Sequence, residues 1–201
     1  MSLVQSKLKN DLLAAFNSMT DGDDTVFAKK VSKAVADFAQ SGKISTTDAG
    51  AISAGTFTGK GTGSISVQSS ICENIILSAC KAMRNMTSGG DSFLAEKIAS
   101  GIHTMISSGK VSTSVNGTVV PPSGTPSGMG GSAKGTMNGV SATIQSGLIS
   151  AFRAMGRMTS GGDSHFAEQA ASAVNKYLKA ASIMTNGTGG LAGSIGSGNM
   201  M

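Results

Sequence analysis

Tryptophan is absent, tyrosine occurs once, and aromatic residues make up only 4% of the 201-residue chain. A single large core of the usual aromatic-rich kind is therefore not expected. Charge is scarce too: charged residues are 13% of the chain, roughly half of the usual share of about 25%. Solvated disorder needs many charges and few apolar residues, so this composition argues against it. A surface so poor in charge suits a chain whose exterior is covered by neighbours. The net charge of +5 is spread thinly, with no basic run longer than Lys29-Lys30. Without clustered lysines and stacking aromatics, specific nucleic-acid binding is not expected. No apolar run approaches the ~18–20 residues of a membrane span. Met1–Phe16 lacks the basic start, apolar stretch and small-residue cleavage site of a secretory signal. Synthesis in the cytoplasm, with no membrane partner, is the expectation.

Cysteine is limited to Cys72 and Cys80. Eight positions apart on one predicted helix, their Cα atoms would lie roughly 12 Å from each other. A disulfide tolerates no more than about 7 Å, so reduced, buried thiols are expected.

What the chain has in abundance is repetition. Shifted by 72, Ala79–Ser100 falls on Ala151–Ser172 without a gap, and MTSGGDS at Met86–Ser92 recurs identically at Met158–Ser164. Shifted by 67, the N-terminal region falls on the second copy: Met19 on Met86, Gly22 on Gly89, Asp24 on Asp91, and Gly42–Thr46 on Gly109–Thr113. Three diverged copies result, occupying residues 1–70, 71–143 and 144–201. Each opens with a helix-spaced apolar stripe, such as Cys72, Ile76, Ala79, Met83 and Met86, or Ile144, Leu148, Ala151, Met155 and Met158. A second stripe follows the glycines: Phe27, Val31, Val35, Phe38 and Ala39; Leu94, Ile98, Ile102, Met105 and Ile106; Phe166, Ala170, Val174, Tyr177 and Leu178. Two short helices and a tight corner make an αα-hairpin.

At each corner, Gly89-Gly90 and Gly161-Gly162 are expected to end the first helix through a left-handed C-cap. Asp91 and Asp163 are expected to N-cap the second. Copy one carries Gly22 and Asp24 there, with Asp23 replacing the second glycine. A phosphate cradle would hardly tolerate that added carboxylate, so the motif reads as a helix corner.

After the second helix every copy turns to Gly, Ser and Thr while keeping spaced apolar residues: Ile52, Phe57 and Ile65; Val115 and Val119; Leu191 and Ile195. A flexible linker would not need them. These stretches are expected to be extended arms with short strands that dock on neighbouring subunits. Asn116-Gly117 reads as a hairpin turn, and Pro121–Ser132 as the most linker-like piece. The fold class expected is mainly α: three tandem αα-hairpin repeats, each trailing a strand-like arm. A hairpin of about forty residues is too small to stand alone. Stacked and pseudo-threefold arrangements of the three are both open.

No catalytic constellation emerges, and no enzyme activity, cofactor or metal is expected. Gly55–Gly61 has one residue too few for a P-loop and lacks its hydroxyl. Cys80 aligns with Leu13 and Phe152, a core position where thiols are inert. His165 aligns with Val26 and Phe93, and His103, read as a surface residue, with Asn175 and Ala36. Neither has zinc-spaced partners. Glu96 and Glu168 suit the first turn of a helix. The helical methionines read as gap-fillers in the core.

The segments LLAAFNSMTDGDDTVFAKKVSKAVADFAQSGKI (residues 12–44) and ISAFRAMGRMTSGGDSHFAEQAASAVNKYLKAASI (149–183) share the form LxxAFxxM…FAxxIAxxIxxYxxxGxI and trail into GTGSI-type tails. In this the chain resembles small virion structural proteins of large tailed bacteriophages. It departs from the pattern at His103 and Met105 and in the long Pro-containing stretch of copy two. The resemblance implies a non-enzymatic minor head, neck or tail component, assembled in the host cytoplasm. Its partners would be other virion proteins and its own copies. The competing expectation is a repeat-type binding module or adhesin-like factor outside any virion.

Overall fold

A computed structural model of the chain describes residues 3–18 and 23–201. Its elements repeat in the order helix, helix, strand, strand. The first copy forms α1 (Gln5–Asn17), α2 (Asp24–Ser41), β1 (Ile44–Ile52) and β2 (Gly55–Ser66). The second forms α3 (Ser69–Met83), α4 (Gly90–Ser107), β3 (Lys110–Val120) and β4 (Ser127–Asn138). The third forms α5 (Ser141–Met155), α6 (Gly162–Ala180), β5 (Ser182–Thr188) and β6 (Ser194–Met200). Because α3 begins at Ser69 and α5 at Ser141, divisions at 70/71 and 143/144 cut the first turn of each helix.

The expected mainly-α fold with extended arms is overturned. The Gly/Ser/Thr stretches are full strands, and all six close into one antiparallel barrel in chain order, β6 pairing with β1. Backbone donors that an arm would offer to a neighbour are satisfied within the chain. Asn116-Gly117 is no turn: it lies in the middle of β3, opposite Lys60 and Gly59 of β2. Gly117 is needed there because a Cβ would come within 2.7 Å of the Phe57 ring. The connections that do turn are Ser53-Ala54, residues 121–126, which hold all three prolines, and residues 189–193. The linker-like Pro121–Ser132 is thus half turn and half β4.

Inward-facing side chains alternate along each strand as a half-buried sheet requires. Six strands enclose less space than the eight that side chains just fill, so many inward positions must be small. Glycine supplies this in register. Gly63 lies opposite Thr113, Gly135 opposite Thr185, and Gly198 opposite Thr46, each pair joining one copy to the next. A Cβ on any of the three would stand 2.7–2.8 Å from the facing threonine Cα and closer still to the preceding carbonyl oxygen.

Helices form the second layer. Each packs on its sequence neighbours, and α6 returns to pack on α1, closing a six-helix ring above the barrel. Of the two arrangements the sequence left open, the chain adopts the pseudo-threefold one. Val31, Ile98 and Ala170, then Val35, Ile102 and Val174, converge about one narrow void on the ring axis. The principal core runs from this ring into the upper barrel, where Ile44, Ile65, Val111, Met137, Ile183 and Met200 meet it. A separate core of Ile52, Phe57, Val115, Val119, Ala133 and Leu191 fills the lower barrel.

One register needs correction. α1 buries Leu8, Leu12, Ala15 and Phe16, where α3 buries Cys72, Ile76, Ala79 and Cys80. The first helices therefore correspond by a shift of 64, not 67, and Cys80 matches Phe16 rather than Leu13. Copy one has a shorter path from its first helix to its second by the three-residue difference between those shifts.

Candidate functional site

Each second helix runs directly into a barrel strand, and β2 and β4 run directly into the helices that follow them. The corners between paired helices must then lie together at the pole farthest from the barrel. Gly22 lies outside the described residues. Asp24 opens α2, while Asp91 and Asp163 are the second residues of α4 and α6.

The capping roles differ from those expected. α3 and α5 end at Met83 and Met155 with right-handed caps at Arg84 and Gly156, well before the glycine pairs. Gly89 and Gly161 do adopt left-handed φ of 74° and 72°, but as the N-caps of the second helices. Gly90 and Gly162 are the first residues of those helices. Asp91 and Asp163 sit inside the first turn, where a carboxylate complements the helix dipole without capping an amide. In copy one the capping residue is Asp23, which accepts hydrogen bonds from the Thr25 and Val26 amides at 2.8 and 3.4 Å. These bonds hold its carboxyl below the usual carboxylate range. Met86 and Met158 lie beyond the first helices and are exposed, at 39% and 43%.

The corners of copies two and three flank an open cleft of about 400 Å³ lined by Phe16, Met83, Leu94, Phe152 and Met155, with Asp91 and Asp163 beside them. Beside it four phenylalanines from the first and third helix pairs lock together. Phe16 meets Phe166 edge-on at 4.5 Å and Phe27 at 5.2 Å, and Phe152 meets Phe166 at 4.3 Å. Such pairs add about 0.5–1.5 kcal/mol each beyond their burial. Asp24 is engaged by Arg84 at 2.7 Å. Asp91 and Asp163 have no hydrogen-bond or ion-pair partner among the described residues. Sequence reasoning found the corners but not the cleft. The signal was the repeat: equal spacing of corner and barrel in every copy forces the corners to one pole once the ring closes.

The expected arm residues fall elsewhere. Ile52, Phe57, Val115, Val119 and Leu191 fill the lower barrel, Ile65 joins the principal core, and Ile195 alone faces outward, 56% exposed. None lies on a free arm. Between the two cores runs a polar layer. Asp48 is fully buried, accepting hydrogen bonds from Thr46 Oγ1 at 2.7 Å and Thr185 Oγ1 at 3.3 Å. Thr113, the third copy of that threonine, is buried, and its hydroxyl has no hydrogen-bond partner among the described residues. Gly61 and Gly196 leave the space that the Asp48 carboxylate occupies.

His103 is half-buried rather than on the surface, its Nδ1 lying 3.0 Å from the Tyr177 hydroxyl. Burial raises Tyr177 to about 12. Burial likewise raises Cys72 to about 12 and Cys80 to about 11. Among the described residues, no group of His, Cys, Asp and Glu could hold a metal ion, and no helix is long and apolar enough to cross a membrane. Compared with protein-family models, characterised proteins and solved structures, the chain matches none.

Proposed function

We propose that this protein is a non-enzymatic structural component of a phage particle, a rigid pseudo-threefold block that cements neighbouring subunits. The observation that carries the reading is the closure of three copies into one ring of helices and one barrel. Such a block offers three near-equivalent faces to subunits arranged around it, and interfaces follow the symmetry of what they join. The resemblance of the helix pairs to small virion proteins supplies the setting. Cementing here works through rigid faces rather than arms, because the glycine-rich strands are already paired.

Mass spectrometry of purified particles, with cryo-electron microscopy of the native assembly, tests the proposal. The chain should be recovered in stoichiometric ratio to the major structural proteins and be visible at a symmetric position. Recovery only from the soluble lysate, with none in the particle, would instead favour a free binding module.

A further inference from the structure

The chain contains three arginines, Arg84, Arg153 and Arg157, and all lie at the apical ends of first helices. Every other basic residue apart from the two histidines is lysine. Beside these arginines are the exposed Met86 and Met158 and the open Phe/Met cleft. Arginine, methionine and aromatic residues are what interface cores accumulate, while lysine is depleted there. Apart from the Arg84–Asp24 pair, the pole also carries both signs of charge without ion pairing among the described residues. Arg153 and Arg157 lack ion-pair partners among the described residues, as do Asp91 and Asp163.

We propose that the apical pole docks on the same pole of a second copy of this chain. In an isologous contact each residue of the patch meets its complement on the other subunit. Arg153 and Arg157 of one copy then face Asp91 and Asp163 of the other. Met86 and Met158 are the exposed apolar side chains placed to enter the facing cleft. A purely basic partner would satisfy the aspartates but oppose the arginines; a second copy satisfies both. The pairing stands whether or not the protein belongs to a particle.

Sedimentation velocity of the full chain over a wide concentration range tests this. The wild type should self-associate, and Asp91→Arg with Asp163→Arg should weaken association roughly thirtyfold or more, as should Arg153→Asp with Arg157→Asp. Mixing the two double variants should restore a heterodimer, because each supplies the charge that the other lacks. Lys60→Glu with Lys134→Glu, on the barrel exterior, should leave association unchanged. Far-UV circular dichroism and thermal melting check that each variant is folded. If a charge variant fails to fold, Met86→Asp with Met158→Asp at the exposed corners takes its place and should also dissociate the pair. A wild type that stays monomeric overturns the proposal, as does association indifferent to the apical variants or a mixture that fails to re-pair.

Discussion

Cys72 and Cys80 both face inward from α3 and are free thiols. Their helical spacing already excluded a mutual disulfide. Burial raises Cys72 from 9.0 to about 12, so the folded thiol stays protonated where the unfolded one ionises. The stabilisation is complete below the unfolded value and is lost as pH climbs from there toward the folded value. Urea unfolding at pH 10.5 should therefore show about 2 kcal/mol less stability from this thiol than at neutral pH. Cys72→Ala, though less stable at neutral pH, should show a correspondingly smaller alkaline loss. Tyr177 shifts in the same direction and leaves a residual slope in both proteins. That cysteine would be buried was legible from its place on an apolar stripe. The burial of His103 against Tyr177 was not, since that contact joins α4 to α6 across the ring.

Among the elements, the second helices were the most legible. All fifteen residues of their three apolar stripes are buried, because a period of 3.6 has only one way to face a core. First helices were less so: the stripe was extended through Met86 and Met158, whereas the helices stop at Met83 and Met155. The strands were the real loss. Glycine is a poor strand residue by propensity, and its density here suggested flexible arms. In a six-stranded barrel the same residue answers a steric demand that only the closed neighbour creates. Gly63→Ala, Gly135→Ala and Gly198→Ala should each cost about 3 kcal/mol or more, at or above the upper end of ordinary overpacking. Gly128→Ala, where an added Cβ meets nothing within 4 Å, should stay within about 0.5 kcal/mol. Chemical denaturation of the four variants measures the contrast.

For the whole molecule, the three-copy plan was visible in identical letters, yet its closure was not. Pairing between β6 and β1 joins the last strand to the first, and no local pattern announces a contact of that span. The consequence is cooperativity. β6 bonds to both β1 and β5, so removing residues 194–201 opens the barrel and exposes two long edges. The principal core is continuous from barrel to helices, and the truncated chain should therefore lose helical signal and its single melting transition together. Native-like helical melting in the truncated chain would show instead that the two layers fold independently.

Leu3 and Met200 both lie against Gly42, and the Met201 amide donates to the Lys43 carbonyl at 2.8 Å. Leu3, just ahead of α1, and the last residues therefore meet at the waist, where barrel and helices join, in the place that a strand-to-helix link occupies between the other copies. A domain fused to either end would leave from this one equatorial point. Both poles would remain clear, and two fusions would emerge side by side.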